Sequence, residues 1–385
     1  MLVAVAGKIV IVGGGILGTM HAVHARRRGF EVVHLEREPE GRGASVRNFG
    51  LVWVSGRRAG PELALALRAR ELWEEIADSA PGTGFRPHGS LTLATSTEEL
   101  AVLHDAVELP DAKQRQFSLL DADGVREVNP ALRGEFLGGL WCEADAIVEP
   151  RLALPALRAS LAGPSYTWLP GLEAMSVSEH AVRDHTGTWH HGDLVVLCTG
   201  ANFTGVAGPH LASSGALAAS HSGDSGGSGL RRVRLQMLQT EPLPASLTTS
   251  VADGDSLRYY PAYNVPSLSA LPAQDPVAAA NKAQLLLVQR RDGGLTIGDT
   301  HEYGEPFGFD VDERPYGHLL ARAQALLGTI LPPVRRRWAG VYSEVVGTGE
   351  IYHRSTVADG VILVTGPGGR GMTCSPAIAE ETFTS

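Results

Sequence analysis

The sequence contains few cysteines and no long apolar run. Its 385 residues include three cysteines, Cys142, Cys198 and Cys374, which are widely spaced and form no CxxC pair. This pattern predicts neither a zinc site nor a disulfide framework, and each cysteine is expected to be a small core residue. No apolar run approaches the roughly 20 residues that a membrane-spanning helix needs. The composition, 43% hydrophobic and 19% charged, is typical of a soluble globular protein.

Positive charge is also scarce, since 33 Lys and Arg stand against 42 Asp and Glu and the formal net charge is −9. This balance disfavours nucleic acid as a partner, although a local arginine pocket for a small anion is compatible with it. The apolar N-terminus lacks a basic region and runs directly into a glycine turn, which favours a buried strand in a cytoplasmic protein over a signal peptide. A chain of this length predicts two domains.

The N-terminal segment has the pattern of a βαβ unit. Residues 8–12 predict a buried parallel strand and residues 16–28 a helix, and a second strand ends at Glu36. Two further apolar strands, at 193–200 and 360–366, end in Thr-Gly. Because such buried strands suit a parallel sheet, we expect one sheet to be assembled from distant parts of the chain.

Gly13, Gly15 and Gly18 form a G-x-G-x-x-G motif between the first strand and the helix. The first glycine permits the turn, the second lets a pyrophosphate approach, and the third lets helix and strand pack. Glu36 follows the motif by about 20 residues, the sequence spacing at which a carboxylate binds the ribose hydroxyls. A carboxylate at this position argues against a 2′-phosphate on the ribose. NAD and FAD both carry an ADP moiety, so this unit alone does not distinguish them.

Two glycine-rich segments favour a flavin. "GRGASVRNFGLVW", residues 41–53, is a loop where a simple dehydrogenase would continue into its next αβ unit. "VTGPGGRGMTCSP", residues 364–376, is a second turn after a strand and precedes a helix expected over 376–382. Backbone N–H groups in that turn would suit a heterocycle that becomes anionic on reduction, and an ordinary strand-to-helix turn is the alternative.

These residues resemble the FAD-dependent D-amino acid oxidase superfamily, particularly its glycine oxidase and sarcosine oxidase-like branch. The resemblance extends over nearly the whole chain and rests on "GGGILG" with Glu36-Arg37, "GASVRNFG", "FRPHGSLTLAT", "GGLWCEADAIVEPRLALPAL", "VVLCTGA", "RRRWAGVYS" and "GPGGRGMT". Within the family the chain is most similar to a subgroup that carries "SVRNFG" and "LRYYPA" and is proposed to act in 2-aminoethylphosphonate breakdown.

The fold predicted from pattern and resemblance is α/β, or α+β overall. It combines a discontinuous Rossmann-like FAD-binding domain with an antiparallel-sheet substrate domain, to which "HGSLTLATS", "RRVRLQMLQTEP", "SLRYYPAY" and "LLLVQRRDGGLTIGDT" would contribute strands. The FAD-binding domain is predicted at 1–85, 140–212 and 334–385, and the substrate domain at 86–139 and 230–333. Residues 213–229 are predicted to be a flexible Ser/Gly-rich loop.

The chain departs from some relatives at two positions. No cysteine follows Trp338 closely, where certain sarcosine-oxidising relatives attach the flavin covalently, so the resemblance implies noncovalent FAD. Thr373 stands where those relatives carry a lysine for the substrate carboxylate, which argues against sarcosine.

The resemblance implies oxidation of the C–N bond of a small amine, with hydride transfer to flavin N5, imine hydrolysis and reoxidation by O2. The predicted substrate has an anionic head group and is an aminophosphonate, such as 2-aminoethylphosphonate or its N-methyl derivative, or a small amino acid. Arginine matches such a head group best. The alternatives are an FAD-dependent dehydrogenase with another acceptor, a glycine or D-amino acid oxidase, and a nucleotide-binding protein without catalysis.

The candidate residues fall into two sets. Those predicted to act on the substrate are Arg47, Arg258, Tyr259, Tyr260, Arg337 and Arg370. The alternative is a role at the cofactor for Arg47, a solvated or structural residue for Arg258 and Arg337, a surface position at the helix start for Arg370, and core packing for the tyrosines. Those predicted to contact FAD are Gly13, Gly15, Ile16, Leu17, Gly18, Glu36, Arg37, Ala44, Ser45, Arg47, Asn48, Ala174, Thr199, Gly200, Gly366, Gly368, Gly369, Arg370, Gly371 and Met372. His301, His353 and Tyr342 are further possibilities. No metal site is predicted, and the oligomeric state is left open.

Overall fold

The computed structural model describes residues 7–218 and 228–384. Residues 219–227 of the predicted Ser/Gly-rich loop lie outside the described residues. The helices are α1 (Ile16–Arg27), α2 (Pro61–Ser79), α3 (Thr97–Val107), α4 (Ala122–Val128), α5 (Pro150–Ser160), α6 (Gly208–Ser213), α7 (Asp255–Tyr259), α8 (Pro276–Asn281), α9 (Glu313–Leu327) and α10 (Gly371–Thr382).

The strands are β1 (Lys8–Val12), β2 (Glu31–Glu36), β3 (Leu51–Val52), β4 (Ser90–Ala94), β5 (Phe117–Asp121), β6 (Gly138–Cys142), β7 (Ala146–Ile147), β8 (Tyr166–Pro170), β9 (Ala174–Ser178), β10 (Ala181–Asp184), β11 (Trp189–His191), β12 (Leu194–Leu197), β13 (Gly229–Pro242), β14 (Ser250–Ala252), β15 (Leu286–Gln289), β16 (Gly294–Gly298), β17 (Val334–Val346), β18 (His353–Ala358) and β19 (Val361–Thr365).

A six-stranded sheet has the order β18-β19-β12-β1-β2-β8 and is parallel except for β18. The prediction that strands near 193–200 and 360–366 join the first strand is therefore confirmed. Alternate residues of β1 enter opposite cores: Ile9 and Ile11 pack with residues of α1, α2 and α10, whereas Val10 and Val12 pack with the β9–β10–β11 meander. Burial on both faces explains why β1 reads as a continuous apolar run.

An eight-stranded sheet has the order β17-β13-β16-β15-β14-β4-β6-β5, with β14 and β4 its parallel pair. Helix α9 covers one face, where Tyr316, Leu319 and Leu326 pack against sheet residues such as Leu238 and Ile297. The sheet includes β17 and β6, although all of β17 and residues 140–142 of β6 are predicted from sequence to belong to the FAD-binding domain. The domain boundaries otherwise remain a prediction.

The segment "SLRYYPAY" is predicted from sequence to be a strand, and this prediction is wrong. It forms α7 and a following 3-10 turn over Pro261–Tyr263. Ser256 N–H donates to the Asp253 carbonyl, which turns the chain at the end of β14, and Tyr260 is extended because it precedes a proline. Two adjacent tyrosines do not distinguish a strand from a short turn of helix.

Helix α10 begins at Gly371, earlier than the predicted 376–382, and contains Pro376. Proline lacks the N–H that would bond to the carbonyl four residues before it, and that carbonyl belongs to Met372. The indole of Trp73 on α2 donates to it instead, at 2.9 Å. The helix therefore continues through the proline because tertiary contact satisfies the freed acceptor.

The three cysteines are buried and free, as predicted for core residues. Within residues 7–218 and 228–384, no helix has both the length and the apolar character to span a membrane.

Candidate functional site

A cavity of about 1080 Å³ opens between the six-stranded and eight-stranded sheets. One part of its wall is formed by the glycine turn after β1, the loop around Ala44–Val46, the end of β12 and the turn before α10. The other part is formed by residues of the eight-stranded sheet and its loops. The cavity thus joins the predicted nucleotide turn to the predicted substrate sheet.

The glycine turn requires glycine for steric reasons. Gly13 has φ +111°, and a Cβ there would lie 2.2 Å from the Cys198 carbonyl oxygen. A Cβ on Gly18 would lie 1.9 Å from the Gly13 carbonyl oxygen. At Gly15 a Cβ would meet Ser45 Oγ at 3.1 Å and no other atom of the described residues within 4 Å. The N-terminus of α1 is therefore open to the cavity, as a pyrophosphate needs.

Two polar groups near this turn fit the rest of an ADP moiety. Glu36 lines the cavity, and its carboxylate accepts hydrogen bonds from Gly14 N–H at 2.6 Å and Glu38 N–H at 3.0 Å. Thr199, at the end of β12, also lines the cavity, and its buried Oγ1 has no hydrogen-bond partner among the described residues. A buried hydroxyl without a partner is unusual and fits a ligand that would supply one.

His34 on β2 lies beneath the turn. Its Nε2 is 2.9 Å from the Gly13 carbonyl oxygen, its Nδ1 is 3.1 Å from the Tyr166 hydroxyl, and its ring meets Trp168 edge-on at 4.8 Å. Burial lowers the pKa of His34 from 6.5 to about 4, so the ring is neutral at pH 7. We assign the proton to Nε2, which donates to Gly13 and fixes the turn from below.

The loop over residues 41–50 is held in one shape by Asn48. Its side-chain amide donates to the carbonyls of Ala44 and Ser45 at 2.8 and 3.0 Å, and its Oδ1 accepts from Gly50 N–H at 2.6 Å. Ser45 Oγ accepts from Ile16 N–H at 2.9 Å, which ties the loop to the start of α1. The loop therefore presents a fixed polar surface to the cavity.

Arg47 and Arg370, two of the predicted substrate-binding arginines, line the cavity. Arg47 Nη1 donates to the Ala339 carbonyl at 3.0 Å. Arg370 Nη1 lies 3.3 Å from Glu62 Oε2, and its Nε donates to the Pro367 carbonyl at 3.0 Å. Both guanidinium groups therefore have protein partners and are held in place.

Arg258 and Arg337, which were also predicted to act on the substrate, are not among the residues that line the cavity. Arg258 lies on α7, where it donates to the Pro272 carbonyl and its Nε is 3.9 Å from Asp255. Arg337 on β17 pairs with Glu313 at 3.2 Å and covers the Tyr316 ring. Both side chains therefore make their contacts outside the cavity.

Two arginines that were not predicted do line the cavity, Arg57 and Arg58. Arg57 is 6% exposed, donates through Nε to the Trp53 carbonyl at 2.8 Å, and lies 3.9 Å from Glu62. Arg58 is exposed and forms no ion pair with the described residues. "SGRRAG" shows no periodicity or motif, so the sequence carried no signal for either.

The eight-stranded sheet and its loops contribute an aromatic cluster, which comprises Tyr259, Tyr260, His301, Tyr303 and Tyr342 and lines the cavity throughout. Tyr259 stacks on His301 with centroids 4.2 Å apart and meets Tyr260 edge-on at 5.0 Å. Burial raises the pKa of Tyr260 and of Tyr342, so both are neutral phenols at pH 7. The predictions for Tyr259, Tyr260, Tyr342 and His301 thus fall on cavity residues.

Asp299 follows β16, is 5% exposed and also lines the cavity. Its Oδ1 accepts from the Gln284 amide at 3.2 Å, and burial raises its pKa above the usual value. Sequence reasoning missed Asp299 and Gln284 because each lies beside an apolar or glycine-rich segment without a recognisable motif. His353, by contrast, lies outside the cavity and bonds to Ser355 at 2.9 Å.

Of the residues predicted to contact the cofactor, Gly18 and Gly366 do not line the cavity. Gly18 packs beneath Gly13, as a third glycine of the motif should. Gly366 has φ +72°, and a Cβ there would lie 2.5 Å from Leu230, so glycine serves the turn itself. The other predicted residues line the cavity, and their contacts with FAD remain a prediction.

The comparison with protein families gives a match over almost the whole chain. The family described as FAD dependent oxidoreductase, DAO, matches residues 8–383. An opine oxidase component of Rhizobium meliloti is 30% identical over 162 residues, 39% of this chain and 44% of that protein. D-amino-acid oxidase of Streptomyces coelicolor is 31% identical over 198 residues, 50% of this chain and 52% of that protein. The matches therefore span about half the length of these relatives.

The fold is shared with a solved glycine oxidase from Geobacillus kaustophilus. The two structures superpose with a TM-score of 0.75 over 98% of this chain and 93% of that one, at 19% sequence identity. The predicted fold class, a nucleotide-binding unit combined with a second sheet, is confirmed.

Proposed function

Since the chain belongs to the DAO family of FAD-dependent oxidoreductases, we propose that it oxidises the C–N bond of a small amine that carries an anionic head group. The proposal is supported above all by the continuity of the cavity, which joins the dinucleotide turn to a wall of charged and aromatic side chains. A binding module for a nucleotide alone would not need the second wall.

The residues present fit FAD. The open N-terminus of α1, the Glu36 carboxylate and the unpartnered Thr199 hydroxyl suit the ADP half, and the loops around Asn48 and Gly369 would hold the remainder. When bound, FAD supplies the acceptor for the two electrons that leave the amine. We propose noncovalent binding, because no cysteine lies beside Trp338; acid precipitation should then release the flavin into the supernatant.

The protein's own contribution is to position the amine and exclude water. Arg57, Arg58 and Arg370 line the cavity. Arg57 and Arg370 share one carboxylate, Glu62, and Arg58 forms no ion pair with the described residues, so the three arginines carry excess positive charge. Guanidinium groups match carboxylate and phosphonate oxygens in geometry. We therefore place the head group here in preference to Arg258, and the head group can be a carboxylate or a phosphonate, as in 2-aminoethylphosphonate.

Anaerobic bleaching of the flavin tests the proposal. The FAD-loaded protein is mixed without oxygen with glycine, alanine of both configurations, sarcosine, 2-aminoethylphosphonate, its N-methyl derivative and an opine, and the flavin absorbance is followed. At least one of these amines should bleach it. Failure of every member of a broad amine panel would reject the proposal.

Two further measurements define the reaction. Peroxide formation during turnover in air identifies oxygen as the acceptor, and its absence together with reduction of an artificial dye identifies a dehydrogenase. Arg370→Ala should weaken the binding of alanine far more than the binding of alaninamide, which lacks the anionic group. Equal weakening of both would remove Arg370 from head-group binding.

A further inference from the structure

Asp299 is a buried carboxylate in the wall of the cavity. It is 5% exposed, and its side chain has one side-chain hydrogen-bond donor among the described residues, the Gln284 amide at 3.2 Å. The nearest basic group is His301, whose Nε2 lies 3.9 Å from Asp299 Oδ2, beyond hydrogen-bond distance. Asp299 Oδ2 therefore keeps acceptor capacity on the cavity side.

Asp299 differs in this respect from the other acid that the same sheet places on the cavity. Glu344 on β17 is held by Arg231, with Nη2 and Oε1 2.6 Å apart. No lysine or arginine of the described chain lies within ion-pair distance of Asp299. His301, at 3.9 Å, can pair with Asp299 only when its ring is protonated. A buried carboxylate without a permanently charged partner is costly, so it points to a cation that arrives with a ligand.

The surroundings of Asp299 also suit a cation. Tyr259 stacks on His301, and the His301 ring in turn is nearly parallel to the Tyr303 ring, with centroids 6.3 Å apart. The His301 ring is fixed because its Nδ1 lies 3.1 Å from the Lys282 carbonyl oxygen, to which it donates. Aromatic faces attract cations within about 6 Å of the ring centroid. The Tyr303 ring already has two cations of the chain against it, since the Arg231 guanidinium and Lys282 Nζ lie 4.2 and 4.4 Å from its centroid. The cluster beside Asp299 is therefore an environment that binds cations.

The negative and positive parts belong to one continuous cavity. The charges of Asp299 and Arg57 both act on the Tyr260 phenol, and Tyr260 packs against Trp53, whose carbonyl accepts a hydrogen bond from Arg57. Asp299, Arg57 and Tyr260 line the same cavity, so a small molecule there has both a carboxylate and a guanidinium in the surrounding wall.

We propose that Asp299 binds a protonated nitrogen of the substrate, so that the cavity selects zwitterions, with the anionic head group at Arg57, Arg58 and Arg370 and the cationic nitrogen at Asp299. This inference rests on the proposed function in that it takes the cavity to be an amine site. It makes Asp299 a residue that determines specificity and that touches the substrate directly.

A pair of ligands that cannot be oxidised tests the recognition of charge. Glycine betaine and 3,3-dimethylbutyrate have nearly the same shape and the same carboxylate, and they differ in the positive charge on the central nitrogen. Their dissociation constants are measured on FAD-loaded protein by calorimetry and by perturbation of the flavin spectrum. We expect betaine to bind at least about tenfold more tightly, since interactions with a charged partner exceed those with a neutral one by that order.

The variant Asp299→Asn keeps the shape and removes the charge. It should bring the two dissociation constants to within about twofold of each other, whereas Asp292→Asn, an exposed change of the same kind in the β15–β16 turn, should preserve the difference. Thermal unfolding and FAD content show whether the variants are folded. Equal affinities in the unmodified protein, or equal weakening of both ligands by Asp299→Asn, would overturn the inference.

Reduction kinetics identify which nitrogen is bound. If Asp299 binds the reacting amine, Asp299→Asn will raise the dissociation constant of alanine and ornithine alike; if it binds a second cation, only ornithine will be affected. Both results support binding of a protonated nitrogen, and no effect on either amino acid opposes it. Flavin that no amine bleaches would reject the proposed function, while a preference for betaine would still stand as evidence for the cation site.

Discussion

Acid is predicted to lower the stability of the fold through His34, because burial under the glycine turn keeps this ring neutral in the folded chain. The test compares His34→Phe with the unmodified protein at pH 7 and pH 5. Phenylalanine preserves the ring that packs on Trp168 and removes the hydrogen bonds to the Gly13 carbonyl and the Tyr166 hydroxyl. At pH 7 the loss of these two bonds should lower the free energy of unfolding by about 1–3 kcal/mol.

The pH dependence has a definite sign. Burial lowers the pKa of His34 from 6.5 to about 4, so between these values the unfolded chain binds a proton that the folded chain does not. The stability that depends on neutral His34 is therefore present above pH 6.5 and is lost as the pH falls toward 4. At pH 5 the loss is about 2 kcal/mol, from about 1.5 pH units at about 1.4 kcal/mol each. The variant lacks the titrating ring. The difference in the free energy of unfolding between the unmodified protein and the variant should therefore be smaller at pH 5 than at pH 7 by that amount.

Urea unfolding of the FAD-loaded proteins, followed by circular dichroism, measures the difference. Other buried histidines such as His21 are present in both proteins and cancel. His104→Gln, an exposed change on α3, serves as the control and should follow the unmodified protein at both pH values. If His34→Phe lowers the free energy of unfolding by the same amount at pH 7 and pH 5, the assignment of a neutral ring under the turn is refuted.

Four further outcomes follow from the geometry of the site. Gly13→Ala should yield protein that retains little FAD after gel filtration, because its Cβ would lie 2.2 Å from the Cys198 carbonyl oxygen; normal FAD content would contradict this. Glu36→Ala should weaken FAD by roughly tenfold or more in equilibrium titration, as expected for a lost charged hydrogen bond, and an unchanged affinity would remove Glu36 from ribose binding. Arg258→Ala should change kcat/KM less than about twofold, because its side chain leaves the cavity. Arg370→Ala should lower kcat/KM for an anionic amine by at least about tenfold in the same assay, and similar values for the two arginine variants would contradict the placement of the head group.

The fold could be predicted from the sequence where the pattern is local and buried. The strand Lys8–Val12, the glycine turn and Glu36 lie within one short stretch of sequence. In the turn, close contacts with the backbone leave no room for a side chain at Gly13 and Gly18. The strands near 194–197 and 361–365 could be assigned to the same sheet because strands buried on both faces remain apolar at every position. These features depend on neighbouring residues along the chain.

The substrate wall could not be predicted to the same extent, because its members meet only through tertiary structure. Arg258 looked suitable beside two tyrosines, but the backbone there is helical, so successive side chains are turned by about 100° around the helix axis and need not face the same way. Asp299 and Gln284 come together because β15 and β16 pair in a hairpin, and neither residue belongs to a motif. Which face a side chain takes is decided by the register and the turn, not by the identity of the residue.

The charges of the cavity come from different layers of the molecule, and this arrangement bears on substrate choice. The arginines at 57, 58 and 370 follow β3 or precede α10, whereas Asp299 follows β16 of the eight-stranded sheet. A zwitterion that contacts both would bridge the two walls, so its affinity would depend on the spacing of its charges. Along a series of ω-amino acids of increasing length, affinity should therefore pass through a maximum in the unmodified protein. In Asp299→Asn the maximum should disappear, because a ligand held by its head group alone gains nothing from a particular spacing.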